Sequence, residues 1–185
     1  FDAQNMGSGL FNRLGLPFWF EFIMVILILD FFIWLQHLLT HKIEFLWRIH
    51  RVHHSDTEMD VSTAIRFHPI EIALSMALKI SLVYALGADP LSVLIFEILL
   101  NGSSIFNHAN INIPNRIDKI VRFLIVTPDM HRIHHSSDRI EHDTNFGFAL
   151  SIWDHMFQTY KSRPEKDHKE MEIGLNWQDE KPQEL

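Results

Sequence analysis

The chain of 185 residues contains no cysteine and only two tyrosines. The absence of cysteine excludes disulfide bonds, thiolate metal ligands and a cysteine nucleophile. The sequence also lacks a basic face interleaved with aromatic residues, so no nucleic-acid partner is predicted. No secretory signal peptide is recognisable. The chain starts at Phe1 rather than methionine, and we therefore expect it to be truncated at its N-terminus.

Hydrophobic residues make up 47% of the chain, and most of them lie in a few long stretches. The run "PFWFEFIMVILILDFFIWLQHLLT" is interrupted by only two acidic residues, Glu21 and Asp30. About 20 mainly apolar residues cross a bilayer as a helix, so this run predicts a membrane helix over 18–40. A buried helix of a soluble protein is the alternative, but a chain of this length cannot bury several such helices.

A second apolar stretch contains the sequence "GADP" at 87–90, where glycine and proline indicate a turn. The segments on either side are close to the shortest length that crosses a bilayer, and they predict a helical hairpin over 70–86 and 90–107. Lys79 and Glu97 lie within these segments. Because charges are costly in lipid, we expect the two side chains to face protein or each other.

The distribution of charge predicts the orientation of the chain. Lysine and arginine flank the apolar segments at their histidine-bearing ends, whereas the turn at 87–90 carries only an acidic residue. The positive-inside rule then places the histidine-bearing segments in the cytoplasm. We predict an all-α fold, an integral membrane helical bundle with a cytoplasmic, histidine-rich metal-binding cap. One membrane domain would cover 1–160, and 161–185 would form a polar, solvated cytoplasmic tail.

Histidine is the residue type that the chain has in excess, with 13 in total. Eight of them fall in three groups with the spacings H-x-x-x-H, H-x-x-H-H and H-x-x-H-H. On a helix, positions i, i+3 and i+4 share one face, so each group would point its imidazoles in one direction. Unpaired imidazoles are unfavourable in a core or in lipid, but a cluster of them suits a metal. The eight are His37, His41, His50, His53, His54, His131, His134 and His135.

The number of imidazoles indicates more than one metal ion. Zinc sites usually hold four ligands, so eight imidazoles would serve two ions. Imidazole binds zinc, copper, iron and nickel, and the ligand type alone does not select among them. The Glu-x-x-His repeats of carboxylate-bridged di-iron bundles do not occur in matching positions. The sequence therefore predicts a nitrogen-rich dinuclear site.

Three further residues could complete or support this site. His108 follows the second hairpin helix on the predicted cap side, where it could be a ninth ligand. Asn112 could add an oxygen ligand or hold a water molecule. Asp30 lies on the same helical face as His37, where it could support a ligand or line the substrate pocket. The alternative for Asp30 is a buried ion pair with Lys79.

The remaining histidines have weaker signals. His68 precedes a proline at the start of a predicted helix, which favours capping or support of a ligand over ligation. His142 has no neighbouring histidines in the sequence. We interpret His155, in an amphipathic stretch, and His168, in the polar tail, as structural or surface residues.

The ordered motifs resemble the fatty acid hydroxylase / sterol desaturase superfamily, and bacterial members look most similar. Supporting stretches are "DFFIWLQHLLTH", "LWRIHRVHHSD", "RFHPIE", "VTPDMHRIHHS" and "NFGFALSIWD", so the resemblance runs from about Asp30 to Tyr160. It implies an integral membrane, non-haem di-iron oxygenase that hydroxylates or desaturates a C–H bond of a lipid. The eight motif histidines would be iron ligands, and His108 would stand where the family often has a further histidine pair.

The same resemblance implies the cofactors and partners. Two iron ions would use O2 as co-substrate, with electrons from an external donor of the ferredoxin, cytochrome or reductase type. The metal site would lie on the cytoplasmic side of a membrane, in the bacterial inner membrane. The substrate remains open among sterols, fatty acids, alkylglycerol ethers and carotenoids, as does hydroxylation against desaturation.

Other classes of protein explain fewer of the histidines. A membrane zinc-dependent hydrolase is the main alternative, but it would need a carboxylate beside the ligands, as in H-E-x-x-H, and neither H-x-x-H-H has one inside. A bis-histidine haem carrier would use only two of the imidazoles. A metal transporter or sensor would favour ligands within the membrane span, whereas these histidines lie just outside it. A histidine-rich metal-binding membrane protein of another kind is kept as an alternative.

Overall fold

The computed structural model of the protein describes residues 2–168 and 170–175. Within these ranges the structure is helical and has no β-strand, with only two isolated backbone bridges, Ile125 to Leu150 and Ser136 to Ile173. The predicted all-α fold is therefore confirmed. Two short helices open the chain, and they are followed by a long helix and a short one: α1 (Asp2–Asn5), α2 (Leu10–Leu14), α3 (Phe18–Lys42) and α4 (Glu44–His50).

Three helices are long and apolar enough to cross a membrane, namely α3, α5 (Pro69–Leu86) and α6 (Pro90–His108). They agree with the predicted segments to within about two residues at each end. Few of their side chains are buried inside the protein, and large apolar residues such as Ile80 and Ile98 are exposed on the outer face of the hairpin. That pattern is the one expected of helices whose solvent is lipid.

The turn between α5 and α6 forms as the "GADP" sequence predicts. Gly87 ends α5 in the left-handed region with φ 67°, a conformation that glycine adopts without steric cost. The side chain of Asp89 caps α6 by accepting hydrogen bonds from the backbone N–H groups of Leu91 (3.0 Å) and Ser92 (2.9 Å). Pro90 occupies the first helical turn, where its missing N–H costs nothing.

The N-terminal helices pack against this turn. A Cβ atom on Gly9 would lie 2.2 Å from the backbone nitrogen of Gly87, so only glycine permits the close approach of the two segments. The apolar core inside the membrane part joins α2, α3 and the hairpin, and it consists of Phe11, Val25, Leu29, Ile33, Leu86, Ala88 and Phe96.

The rest of the chain forms a cap over one end of the membrane helices. The cap comprises residues 43–68 and the described residues from 109 onward. Besides α4 it contains two 3-10 turns and four short helices: His53–Ser55, Thr63–Ile65, α7 (Asn115–Val121), α8 (Pro128–His134), α9 (Arg139–His142) and α10 (Ile152–Met156). The C-terminal ends of α3 and α6 and the N-terminal end of α5 all reach it.

Two reciprocal hydrogen bonds attach the cap to α3. The indole N–H of Trp34 donates to Oδ1 of Asp154 (3.0 Å), and the indole N–H of Trp153 donates to Oδ2 of Asp30 (2.7 Å). Asp30 is thus hydrogen-bonded to Trp153, and the alternative ion pair with Lys79 does not form, because Lys79 pairs with Glu97. Asp30 is not among the residues that line the cavity described below.

Lys79 and Glu97 pair with each other, as predicted. The ammonium group of Lys79 lies 2.6 Å and 2.9 Å from the two carboxylate oxygens of Glu97. This ion pair links α5 to α6 within the membrane hairpin, and neither charge is left to face lipid without a counter-ion.

The described part of 161–185 keeps many exposed side chains, and backbone hydrogen bonds attach it to the rest of the cap. The backbone N–H of Ser137 donates to the carbonyl of Glu172 (2.9 Å), and that of Gly174 donates to the carbonyl of His135 (3.1 Å). These bonds place the segment against a histidine motif. Residue 169 and residues 176–185 of the predicted tail lie outside the described residues.

Candidate metal centre

The structure brings nine of the predicted histidines together at the junction of cap and membrane helices. They form two groups, in each of which one ring nitrogen per residue lies within 4.8 Å of all the others. The five-histidine group consists of His37, His41, His50, His54 and His134. The four-histidine group consists of His53, His108, His131 and His135. All nine side chains are buried, with at most 5% of any residue exposed.

Each H-x-x-H-H motif contributes to both groups. The expectation that the imidazoles of one motif all point in one direction is therefore wrong for these two motifs. His50 ends α4, and the chain then tightens into the 3-10 turn that carries His53 and His54. Adjacent residues on such a turn point about 120° apart, because it has three residues per turn. His53 therefore joins one group, while His50 and His54 join the other.

In the five-histidine group, the outer ring nitrogens of His37, His50 and His134 are hydrogen-bonded. Nδ1 of His37 lies 2.7 Å from the carbonyl of Phe146, and Nδ1 of His134 lies 2.7 Å from the carbonyl of Thr144. A carbonyl can only accept, so both Nδ1 atoms carry the proton. In a neutral imidazole the Nε2 atom is then left with a lone pair.

The Nε2 atoms of all five residues in this group are buried and have no hydrogen-bond partner. Five lone pairs aimed at one point without a partner would be costly in a protein interior. A bound cation removes that cost, and a protonated Nδ1 with a free Nε2 is the arrangement found in metal-ligating histidines. The five-histidine group therefore fits a metal ion.

The Nε2 atoms of the four-histidine group lie still closer together. Nε2 of His108 is 3.2 Å from Nε2 of His53 and 3.0 Å from Nε2 of His131, and Nε2 of His135 is 3.3 Å from that of His131. Metal–nitrogen bonds of about 2.0–2.1 Å place neighbouring ligand nitrogens roughly 3.0–3.4 Å apart. These separations fit four nitrogens around one ion.

The electrostatics of the cap favour the neutral form of several histidines, the form that binds metal. Burial is the main cause, and it lowers the pKa of His53, His54 and His134 well below the ordinary value of 6.5. Neighbouring imidazoles act in the same direction, since a positive charge on one disfavours a charge on the next.

Two carboxylates that the sequence analysis missed support the ligands. Oε1 of Glu71, in the first turn of α5, lies 2.6 Å from Nδ1 of His50. Oδ1 of Asp143 lies 3.5 Å from Nδ1 of His41, close enough for a charge interaction but without a hydrogen bond. A carboxylate hydrogen-bonded to the outer nitrogen, as Glu71 is to His50, fixes the ring orientation and makes the inner nitrogen a stronger ligand. Glu71 belongs to the "RFHPIE" stretch, so its signal was present in the sequence, but it carried no assigned role.

His142 also lies beside the centre, although the sequence gave it no histidine neighbours. Its ring stacks on Trp47, with centroids 5.3 Å apart and planes at 13°. With His41 and Asp143 it forms a third set of side chains that could hold a metal ion. Because His41 already belongs to the five-histidine group, this set extends that group outward.

The other candidate residues lie outside the centre. His68 caps α5, since its Nδ1 accepts a hydrogen bond from the backbone N–H of Ile70 (3.2 Å), and the predicted capping role is confirmed. Asn112 is exposed in the loop after α6, a position that does not favour ligation. His155 is exposed beside Tyr160, and His168 is half-buried.

A cavity of about 300 Å³ opens between α3, α5 and α6 next to the five-histidine group. His37 is both a member of that group and part of the cavity wall. Most of the wall is apolar, for example Ile33, Met76 and Phe148. The volume is at the lower end of the range for small-molecule sites, and a hydrocarbon chain fits such a lining.

These features define an all-helical membrane protein with a buried, histidine-rich metal centre. The family Fatty acid hydroxylase matches residues 22–159, and the chain belongs to that family. The match covers α3 to α10 and thus both histidine groups. It also confirms the resemblance drawn from the motifs. No solved structure matches the chain.

Curated relatives are lipid-modifying proteins by name. The chain is 33% identical over 150 residues to an ornithine lipid hydroxylase of Rhizobium tropici, covering 80% of this chain and 44% of the relative. It is 28% identical over 142 residues to human alkylglycerol monooxygenase, covering 74% of this chain and 30% of the relative. It is 27% identical over 147 residues to human cholesterol 25-hydroxylase, covering 76% of this chain and 50% of the relative. The chain thus spans half or less of the length of each.

Proposed function

We propose that the protein is a membrane-bound, non-haem di-iron oxidoreductase that uses O2 to hydroxylate or desaturate a C–H bond of a lipid, in lipid biosynthesis. One observation carries the proposal: two sets of converging imidazole nitrogens adjoin an apolar cavity among the membrane helices. An aliphatic C–H bond offers no acidic proton to an acid–base catalyst. A redox-active metal is therefore the group expected to carry this chemistry.

The nine histidines would hold the two ions, one in each group. Iron bound there would supply one-electron and O2 chemistry. The protein's own part is to keep the imidazoles neutral, to orient them through Glu71 and Asp143, and to exclude water from the centre. His37 would bring one ion next to the substrate, because its ring forms part of the cavity wall.

The names of the relatives favour hydroxylation over desaturation, since they are hydroxylases and monooxygenases. The substrate class they share is a lipid with a large hydrocarbon part, which agrees with the apolar lining of the cavity. Such a substrate reaches the site from within the membrane. The route that we propose is the cavity between α3, α5 and α6.

Hydroxylation by O2 places one oxygen atom in the product and reduces the other to water. The C–H bond supplies two electrons and two more must come from elsewhere, together with two protons. We therefore propose an external electron donor of the ferredoxin, cytochrome or reductase type, bound on the cap. A cap on the cytoplasmic side of a bacterial inner membrane would meet such donors, and its basic residues, including Arg48 and Arg66, favour that side.

The experiment is metal analysis of the detergent-purified chain, combined with mass spectrometry of lipids from the expressing cells. We expect about two irons per chain, one for each histidine group, without haem absorbance. We also expect a lipid that has gained one oxygen atom, labelled when isotopic O2 is supplied. The matched control is the chain carrying His54→Ala and His135→Ala, which removes one ligand from each group.

Different outcomes separate this proposal from its rival. Two zinc ions per chain, with no lipid that has gained an oxygen atom even after reconstitution with iron, would favour the zinc-dependent hydrolase. One ion per chain, or none, would contradict a dinuclear centre. An oxidised lipid that persists in the double variant would show that another enzyme of the host makes it.

A further inference from the structure

One member of a charged pair, Lys79, lies on the cavity wall, and its partner Glu97 lies behind it. Lys79 and Asn101 line the cavity, and Lys79 is bonded to both carboxylate oxygens of Glu97, at 2.6 Å and 2.9 Å. The side-chain amide of Asn101 donates to the carbonyl of Glu97 (2.7 Å) and more weakly to its carboxylate (3.4 Å). The Lys79 side chain is 12% exposed and that of Glu97 is 33% exposed. Three polar side chains from two helices therefore meet at this point.

The pair lies well inside the membrane span. Lys79 follows Glu71, which contacts His50, by eight residues along α5, or about 12 Å of helix. Glu97 precedes His108 by eleven residues along α6, or about 16 Å. A group bound at Lys79 would thus sit about a dozen ångströms from the metal centre, with the cavity between them.

Stability alone does not explain charges at this depth. Charged residues in membrane helices are costly, and they commonly mark a pathway or a binding site. Replacing a buried ion pair with apolar residues of similar volume is often neutral or stabilising, so helix packing would be served as well by two leucines. Because Lys79 lies on the cavity wall, the pair is placed to contact a ligand bound in the cavity.

The chemistry of the pair selects its ligand. An ammonium group has three N–H donors, and two of them meet the Glu97 carboxylate, which leaves one that no described side chain accepts. The pair is neutral as a whole, so a second carboxylate would bring a further negative charge beside Glu97. An uncharged oxygen acceptor meets the free donor without that repulsion.

We propose that Lys79, held by Glu97 and Asn101, binds an uncharged carbonyl or ether oxygen of the lipid substrate. This inference rests on the proposed function, whose substrate class it narrows to lipids with an ester, amide, ketone or ether group within the hydrocarbon region. Binding at Lys79 fixes the polar group at one end of the cavity. The carbon that lies beside His37 is then set by its distance along the chain from that group.

The test is a competition between two probes with the same number of carbon atoms, methyl palmitate and heptadecane. Equimolar amounts are added to the purified full chain in detergent micelles, unbound lipid is removed, and the bound ratio of ester to alkane is measured by gas chromatography. The variant is the double substitution Lys79→Met with Glu97→Leu, which keeps the volume and leaves no unpaired charge. The control is Ser81→Ala, because Ser81 is exposed on α5 and bonds only to the carbonyl of Ala77.

We expect the wild type and Ser81→Ala to bind the ester in preference, and the double variant to lose about tenfold of that preference, the size of one charge-assisted hydrogen bond. Partition into the micelle is common to all three samples and cancels in the comparison. An unchanged ratio in the double variant, even with an altered melting temperature, would show that the pair only joins α5 to α6 and would overturn the inference.

The same samples separate this inference from the proposed function. If the ester preference depends on Lys79 but the wild type holds no iron and forms no oxidised lipid, the binding site stands and the oxygenase proposal fails. If the wild type oxidises a lipid and the double variant keeps its ester preference, the oxygenase proposal stands and this inference fails.

Discussion

The cap and the membrane hairpin bury opposite kinds of side chain. In the cap and at its junction with the membrane helices, nine imidazoles are enclosed, together with carboxylates such as Asp154, which is 0% exposed. In the hairpin, α5 buries only Glu71 and Leu86, while its apolar side chains, such as Ile72 and Ile80, face outward. A soluble protein shows the reverse of both patterns.

Each pattern identifies what surrounds that region. Buried neutral imidazoles with unpaired nitrogens are stabilised by a cation that accepts their lone pairs, so the two histidine groups could each hold a metal ion. Apolar side chains on an outer surface are stable only if the solvent is apolar, so the hairpin implies lipid. The cavity lies where the two regions meet, as the proposed function requires.

The largest effect that we predict is the loss of single ligands in the cap. His53→Ala removes one of four nitrogens from its group, and His134→Ala removes one of five. We expect both variants to lose activity and bound metal, with the greater metal loss for His53→Ala, because its group has no nitrogen to spare beyond the usual four. Metal analysis of the purified variants measures this.

The control for both ligand variants lies in the same cap. His155 is exposed and His168 is half-buried, and neither belongs to a ligand group. His155→Ala and His168→Ala should keep the metal content and activity of the wild type. Full activity in either ligand variant would contradict the assignment of the centre.

The second prediction concerns the carboxylate that holds the cap together. Asp154 accepts hydrogen bonds from the indole of Trp34, from the backbone N–H groups of Phe146 and Gly147, and from the hydroxyl of Thr159. Asp154→Ala leaves these buried donors unsatisfied, each at about 1–3 kcal/mol. We expect loss of several kcal/mol of stability and a cap that no longer binds metal.

Thermal unfolding in detergent, followed together with metal content, measures the effect of Asp154→Ala. The control is Asp167→Ala, because Asp167 is exposed and its side chain makes no hydrogen bond recorded in the described residues. An unfolding temperature for Asp154→Ala equal to that of the control would mean that the hydrogen-bond network contributes no net stability.

Composition and spacing predicted three features of the structure. Apolar length alone predicts α3, α5 and α6, because each crosses the membrane as a regular helix. The "GADP" sequence predicts the turn, because each residue there has a local conformational role. The histidine spacing likewise predicts the set of ligands that the structure brings together.

The division of ligands between the two groups could not be predicted from spacing. In the first H-x-x-H-H motif the division accompanies the 3-10 turn at His53–Ser55, where a helical periodicity argument assumes a continuous helix. The second motif, on α8, is divided between the groups as well, so the division also depends on how the elements pack around the centre. The supporting contacts of Glu71 and Asp143 could not be predicted either, because they join residues far apart in sequence. The hydrogen bond between Asp30 and Trp153 was likewise not foreseen, since the two residues are 123 positions apart.

The third prediction tests a residue that belongs to both regions. Glu71 lies in α5 and lines the cavity, yet its Oε1 atom contacts the ligand His50. Glu71→Ala should weaken metal binding about 10–100-fold, the usual cost of losing a group that orients a ligand. Glu71→Gln should lose less, because its amide oxygen can still accept the bond from the imidazole.

A chelator competition measures the metal affinity of both Glu71 variants. Glu44→Ala is the control, because the Glu44 side chain is 80% exposed and pairs only with Arg48 on the surface of the cap. Equal affinity in Glu71→Ala and Glu44→Ala would show that His50 is oriented by packing alone. Equal loss in Glu71→Ala and Glu71→Gln would show that the negative charge, rather than the hydrogen bond, matters.

The smallest effect is predicted on the outer face of the hairpin. Ile98 is 58% exposed on α6, whereas Phe96, two residues earlier on the same helix, is 1% exposed and packs in the core. Ile98→Ala leaves a space that lipid or detergent fills, because these molecules are as apolar as the side chain removed. The free energy of unfolding should therefore change by less than about 0.5 kcal/mol. Phe96→Ala leaves a cavity that lipid cannot reach and should cost about 3–5 kcal/mol.

Thermal unfolding of the two variants in one detergent compares them directly. Similar losses would mean that the outer face packs against protein, and the contrast between cap and hairpin would then need another explanation.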